Sequence, residues 1–133
     1  MENSINTKLL MTACSLLLGA TGIFALFLPD VLLSAQGVEP TEAMSMLVQL
    51  MGALYFGFAI MNWTAKDSAI GGVYARPVSL ANFSHFLTGA LLLAKNLFDE
   101  FSPLMLIVTV VYVVFAACFY WLVFRATGLK STA

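Results

Sequence analysis

The chain has 133 residues and a mass of 14.4 kDa, which is the size of one ordinary domain. Hydrophobic residues make up 61% of it and charged residues only 10%, with a net charge of −1 and a mean hydropathy of +0.94. This composition excludes a disordered chain, a basic nucleic-acid-binding protein and a disulfide scaffold. Six basic and seven acidic side chains are also too few to cover a water-soluble globule. We therefore expect an integral membrane protein.

Four uncharged stretches are long enough, or nearly so, to cross the bilayer, which takes about 20 helical residues for about 30 Å of hydrocarbon. They predict membrane spans over residues 9–28, 43–65, 77–94 and 103–124. Because lipid offers the backbone no hydrogen bonds, each span must be a helix. The predicted fold is all-α: an integral membrane four-helix bundle with up-down-up-down connections, in a single transmembrane domain over residues 1–133. The first apolar run exceeds the about 7–15 residues of a signal peptide, so we expect it to be retained.

Prolines and capping residues mark the predicted helix starts. Ser102-Pro103 predicts an N-cap followed by a proline at the first helical position, where the missing N–H costs nothing. Arg76-Pro77 and Glu39-Pro40 repeat this placement. Between the first two spans, Val31-Leu32-Leu33 predicts an interfacial turn in the headgroup region. Every charged residue falls outside the predicted spans, as expected if the span ends lie at the membrane surfaces.

The basic residues predict the orientation, because cytoplasmic loops of membrane proteins are enriched in lysine and arginine. With four spans, five of the six basic residues share the side of the two termini, and only Lys95 lies on the other. Both termini are therefore predicted to face the cytoplasm. Arg76 places a cation at the positive end of the third helix dipole, so an anionic lipid headgroup or the Asp67 carboxylate should offset it. Arg76 is thus the candidate contact for lipid headgroups.

His85 is the only histidine and lies near the middle of the third span. At 100° per residue, Ser79, Asn82, His85 and Gly89 share an arc of about 120° on one helix face. One interpretation is a polar pocket in which His85 carries protons, binds a metal or binds a ligand. The other is packing, with a neutral imidazole and an amide joining helices through hydrogen bonds of about 0.6–2 kcal/mol.

The second span offers partners for this polar face. Gln49 shares a helical stripe with Gly52, Phe56 and Ala59, and Asn62 lies at the cytoplasmic end of the same span. Because the second and third spans are predicted to be antiparallel, we expect a polar seam between them. The candidate ligand-binding or pathway residues are Gln49, Asn62, Ser79, Asn82 and His85.

Other positions in the spans predict packing rather than chemistry. Small residues on one face of a span let helix backbones approach closely, within one chain or between chains. Ala53-xxx-Gly57 is a weaker version of such a face on the second span. The fourth span is poor in polar residues and rich in valine and phenylalanine, so we expect it to face lipid. The small-residue face of the first span consists of Thr12, Ser15, Gly19 and Gly22.

The residues for catalysis are lacking. No Asp or Glu lies within a predicted span, and one histidine cannot supply a nucleophile, a base and an orienting group together. One histidine also cannot supply two axial haem ligands in a monomer. The sequence contains no GxSxG, HExxH, Walker A or histidine-cysteine zinc pattern. We therefore predict that the chain is not an enzyme and holds no metal and no cofactor.

One segment, Asn62 to Lys95, covers about a quarter of the chain and carries a set of short motifs. They are Asn62-Trp63, Gly71-Gly72-Val73-Tyr74-Ala75-Arg76-Pro77, Asn82-Phe83, His85-Phe86 and Gly89-Ala90. With them the segment resembles a family of small, uncharacterised four-span membrane proteins, mostly bacterial. The overall plan, with Leu28-Pro29 closing the first span, also resembles the DoxX-like group of four-helix membrane proteins in architecture. The resemblance implies a bacterial inner-membrane four-helix bundle and no particular activity.

Two functions of different classes fit these features. The first is a non-enzymatic multi-pass membrane protein that binds a partner, a lipid or a small apolar ligand through the seam of the second and third spans. The alternative is a homo-oligomeric channel or transporter whose polar pathway uses Gln49, Asn82 and His85. The expected partners are membrane lipids and not nucleic acid, with a homo-oligomer or a larger membrane complex left open. The expected location is the bacterial inner membrane.

Reporter fusions test the predicted topology. A reporter active only in the cytoplasm should give a signal at the N-terminus and after Ala133, because most basic residues lie on that side. The same reporter inserted after Gln36, between the first two spans, should be silent and is the internal control. A periplasmic signal from Ala133 would contradict a four-span chain with both termini in the cytoplasm.

Overall fold

The computed structural model describes residues 6–67 and 75–124, and the regular secondary structure in these ranges is entirely α-helical. There are five helices in the described ranges, and all except the short α2 are long and apolar enough to cross a membrane. This confirms the all-α class and four candidate membrane spans, so by helix composition the chain is a multi-pass membrane protein. The helices are α1 (Thr7–Phe27), α2 (Pro29–Ala35), α3 (Glu42–Ala65), α4 (Ala75–Asp99) and α5 (Pro103–Phe124).

The helix starts agree with the sequence in part. α5 begins at Pro103 as predicted, and the Ser102 carbonyl accepts a hydrogen bond from the Leu106 amide at 2.9 Å. α3 begins after Pro40 instead, with Thr41 as its N-cap, whose side chain accepts a hydrogen bond from the Met44 amide at 3.3 Å. The threonine side chain gives a backbone N–H in the first turn a hydrogen-bond partner, which a proline at the helix start would not do. This explains why α3 begins after Pro40.

α4 differs most from its predicted span. It already includes Ala75, so Pro77 lies within its first turn, and it continues past Ala94 through Lys95 to Asp99. Its 25 residues make a helix of about 37 Å, which is longer than the about 30 Å of hydrocarbon. The helix therefore extends beyond the predicted span at both ends and includes the charged residues Arg76, Lys95 and Asp99. These charges lie toward the two ends of α4, from which long side chains can reach the headgroup region.

The segment predicted as an interfacial turn is the helix α2, which follows α1 almost without a break. Its C-terminus is a Schellman motif, in which the Val38 amide donates to the Leu33 carbonyl and the Gly37 amide to the Ser34 carbonyl, both at 3.0 Å. Gly37 has φ of 73°, a conformation that glycine adopts without steric cost. The glycine thus ends α2 and turns the chain toward α3.

The chain forms two compact units. Of the described residues, Lys8–Lys66 form one unit, which contains α2, α3 and nearly all of α1, and the other unit contains α4 and α5. The four-helix bundle, the up-down-up-down order and the single domain stay predictions. Arg125 and Lys130, which contribute to the predicted orientation, lie outside the described residues.

Within the first unit, α1 and α3 touch backbone to backbone. A β-carbon placed on Gly22 would lie 2.8 Å from both the Gly52 carbonyl oxygen and the Phe56 amide nitrogen. Nearby, the Ser15 hydroxyl donates a 2.7 Å hydrogen bond to the Ala59 carbonyl. This confirms that the small-residue face of the first span is a packing surface, and shows that it packs within the chain.

Substitution of the crossing glycines tests this contact. Gly22→Ala or Gly52→Ala should destabilise the protein by about 1–3 kcal/mol, because the added methyl group meets backbone atoms that cannot move independently. The measurement is unfolding by SDS in mixed micelles, followed by circular dichroism. Gly57→Ala on α3 is the matched control, since no described atom beyond its own helix lies within 4 Å of a β-carbon there. Equal losses in all three variants would contradict a specific α1–α3 contact.

Candidate functional site

The polar residues predicted on the third span lie on the buried side of α4. Asn82 is 0% exposed and Ser79 is 5% exposed. His85 is partly buried as a residue, and its Nε2 atom is fully buried. Phe86 and Ala90, which follow on the same side of the helix, are buried as well. The structure therefore groups Ser79, Asn82 and His85 on the inward side of one helix, as the helical period predicts.

Two aromatic rings contact the imidazole of His85. Its ring centroid lies 5.1 Å from that of Phe86, with the planes at 72°, and 5.6 Å from that of Tyr112 on α5, with the planes at 51°. Phe86 and Tyr112 themselves meet edge to face, with centroids 5.1 Å apart. Such tilted geometries are the favourable ones for aromatic pairs. The three rings form a cluster that we call the His85 cluster: His85, Phe86 and Tyr112.

Gly89 on α4 makes room for the ring of Tyr112 because glycine has no side chain. A β-carbon placed on Gly89 would lie 2.5 Å from the Tyr112 Cε1 atom and 2.7 Å from its Cδ1 atom. The ring of Tyr112 therefore rests on the backbone of α4, one turn after His85. The sequence placed Gly89 on the polar face but did not identify Tyr112, although a tyrosine in the middle of an apolar span is a visible signal.

Stacked phenylalanines extend the His85 cluster along α5. Phe86 stacks on Phe115 with centroids 4.8 Å apart and on Phe119 with centroids 6.0 Å apart, and the planes are within 17° of parallel. Phe86 and Phe119 are both 0% exposed. The expectation that the fourth span faces lipid is therefore wrong for this face of α5. Val110 and Val114, on another face of α5, are exposed.

The candidates on the second span have structural partners. The Gln49 side-chain nitrogen donates a 3.1 Å hydrogen bond to the Leu26 carbonyl of α1. Asn62 is 0% exposed, and its side-chain nitrogen donates a 2.9 Å hydrogen bond to the Phe58 carbonyl of its own helix. The two amides are separated by about 20 Å along α3, so they do not form one site. The polar seam between the second and third spans stays a prediction.

The cytoplasmic end predicted for α3 carries an aromatic and basic pair. The Lys66 ammonium lies 3.0 Å above the centroid of the Trp63 ring, which is a cation–π contact. Trp63 is 47% exposed, as expected for an interfacial tryptophan. Arg76, the candidate contact for lipid headgroups, is exposed in the first turn of α4. Its exposure leaves the guanidinium accessible to a headgroup.

The part of the chain that the structure describes contains no cluster of side chains that could bind a metal ion. No group of three or more His, Cys, Asp or Glu side chains in residues 6–67 and 75–124 is placed to hold an ion. His85 has aromatic neighbours instead of carboxylates or thiols.

Neither protein-family models, curated proteins nor solved structures match this chain. The resemblance to small four-span bacterial proteins and to the DoxX-like group is therefore supported at the level of architecture only, by four candidate membrane-spanning helices. Part of the motif that carries the first resemblance, Gly71 to Tyr74, lies outside the described residues.

A double-mutant cycle tests the contact between Gly89 and Tyr112. Gly89→Ala alone should destabilise the protein by about 1–3 kcal/mol, because the methyl group displaces the tyrosine ring. In the Tyr112→Ala background the same methyl group meets no ring, so a coupling of about 0.5–3 kcal/mol is expected. Unfolding by SDS in micelles measures all four proteins.

The control cycle pairs Gly89→Ala with Tyr120→Ala. Tyr120 is about 12 Å further along α5 and its ring contacts Phe83 and Phe124, so the two effects should add. Additive effects in the Gly89–Tyr112 cycle as well would contradict the packing of Tyr112 on Gly89.

Proposed function

We propose that the chain is a non-enzymatic multi-pass membrane protein that binds a lipid, a small apolar ligand or a protein partner through the polar face of α4. The observation that carries the proposal is the buried polar face of α4, formed by Ser79, Asn82 and His85 in a helix apolar enough to cross a membrane. Polar side chains in such helices are rare, and they face the protein interior or a cavity and mark binding sites and pathways.

The chemistry of the His85 cluster favours a ligand with an apolar body and one polar group. A neutral imidazole offers one donor and one acceptor of hydrogen bonds. Phe86 and Tyr112 offer aromatic faces and edges against which an apolar body packs. A lipid chain with its ester or hydroxyl group has both features, as does a small apolar molecule with one carbonyl.

The proposal includes a topology. Short connections between successive helices favour an up-down-up-down bundle, and the excess of basic residues favours cytoplasmic termini in a bacterial inner membrane. In this arrangement Arg76 lies at the cytoplasmic surface and contacts an anionic lipid headgroup. A homo-oligomer or a larger membrane complex is compatible with the same topology.

Native mass spectrometry tests the binding function. Protein released from nanodiscs made with bacterial inner-membrane lipids should retain a bound lipid or small molecule, and His85→Leu should reduce the retained fraction because it removes both polar ring atoms. His85→Gln, which keeps a donor and an acceptor, should retain more than His85→Leu. Ser84→Ala is the matched control, since Ser84 is exposed on the same helix. Equal retention by all four proteins would contradict binding at His85.

Flux measurements on the same proteins separate binding from transport. In proteoliposomes we expect no pH-dependent ion or proton flux, and His85→Leu should cost at most about 1–2 kcal/mol of stability, in line with hydrogen bonds inside membranes. A wild-type current that varies between about pH 5 and 8, and that His85→Gln abolishes, would instead establish the channel or transporter with its pathway at Gln49, Asn82 and His85.

A further inference from the structure

The short helix α2 has one polar and one apolar side. At 100° per residue, Asp30 and Ser34 lie about 40° apart, while Val31, Leu32 and Ala35 lie on the remaining circumference. Val31 is 60% exposed and Leu32 is 37% exposed, and none of the seven residues of α2 is buried. The apolar side of α2 is therefore exposed to the medium around the helix.

The position of α2 in the chain identifies those surroundings. α1 has 21 residues and is about 32 Å long, which matches the about 30 Å of hydrocarbon that it must cross. Helical hydrogen bonding continues from α1 into α2, with the Leu28 amide 2.8 Å from the Phe24 carbonyl and the Leu32 amide 3.2 Å from the Leu28 carbonyl. α2 therefore begins where the hydrocarbon layer ends.

The exposed apolar surface of α1 runs into that of α2 without interruption. Phe24 is 57% exposed, Phe27 is 77% exposed and Leu28 is 44% exposed, and Val31 follows them on α2. In a membrane span, exposed side chains of this kind face lipid. Because the two surfaces are continuous, lipid is also the occupant of the apolar side of α2.

A hydrogen bond fixes the polar side of α2 against α3. The Ser45 hydroxyl in the first turn of α3 donates to the Asp30 carboxylate. Asp30 also lies near the N-terminus of α3, where the helix dipole favours a negative charge. With Asp30 held there, α2 has one rotational setting about its own axis, and the Schellman turn at Gly37 holds its other end.

We propose that α2 is an interfacial helix that inserts Val31 and Leu32 among the acyl chains next to the headgroups, with the Asp30–Ser45 hydrogen bond as the contact that sets its rotation. The bound surface is a lipid leaflet, recognised by apolar insertion. Charge attraction to anionic headgroups contributes nothing, because the charged residues of this connection are Asp30, Glu39 and Glu42. Asp30 is thus a positioning residue for the membrane-facing side chains.

Fluorescent labelling tests the insertion. Single cysteines at Val31, Leu32 and Ser34 carry the NBD fluorophore in a background whose free cysteines, Cys14 and Cys118, are replaced by alanine, in vesicles of phosphatidylcholine. The probes at Val31 and Leu32 should be quenched by spin-labelled acyl chains at a depth of about 5–10 Å below the headgroup boundary and protected from aqueous iodide. The probe at Ser34, on the polar side, should be quenched by iodide. Equal iodide quenching at the three positions would overturn the insertion.

Substitution of Asp30 tests the positioning role. Asp30→Asn keeps the side-chain oxygen that accepts the Ser45 hydrogen bond and should preserve the difference between the Val31 and Ser34 probes, while Asp30→Ala should reduce it. Glu39→Ala, which removes a charge from the same connection, is the control and should preserve the difference. An unchanged difference in Asp30→Ala would overturn the role of Asp30 while leaving the insertion supported.

Discussion

The structure depends on one constraint, which is that hydrocarbon gives a polar group no partner. Within the described helices, hydroxyl and amide side chains satisfy it by donating to the carbonyl one turn earlier in their own helix. Thr12 donates to Lys8 at 2.7 Å, Thr109 to Met105 at 2.7 Å and Asn96 to Leu92 at 3.0 Å. Such side chains need no neighbouring helix and mark no site. A small number of other polar side chains donate hydrogen bonds to a neighbouring helix instead.

The two compact units hold their helices together in different ways. In the unit of Lys8–Lys66, Ser15 and Gln49 donate to backbone carbonyls of the facing helix, and Gly22 and Gly52 let the two backbones approach closely enough for these short side chains to reach. In the unit with α4 and α5, large rings stack on one another, and a glycine serves as the floor for one of them. Dispersion between these rings contributes to holding the two helices together.

The sequence was sufficient for features that depend on residue type alone. The four spans follow from runs of apolar residues, and the inward side of α4 follows from the spacing of Ser79, Asn82 and His85. The helix α2 was missed because Pro29 and a short apolar run fit a non-helical turn as well as a helix of about two turns. Tyr112 was missed because a ring contact depends on which helix lies opposite Gly89, and periodicity along one helix carries no information about its neighbour. Ala53-xxx-Gly57 shows the same limit: its glycine is open, whereas Gly22 is in backbone contact.

Ring packing accounts for only part of the presence of a histidine at position 85. The contacts with Phe86 and Tyr112 account for the size and plane of the ring, but phenylalanine would make the same edge-to-face contacts and would enter the membrane at lower cost. The amide nitrogens of Gln49 and Asn62 donate hydrogen bonds to backbone carbonyls, which a hydrocarbon side chain could not do. What distinguishes His85 from phenylalanine is its two ring nitrogens, which can donate and accept hydrogen bonds. Those atoms offer two chemistries, hydrogen bonding and proton exchange, and either one with a ligand requires the protein around the buried Nε2 atom to open.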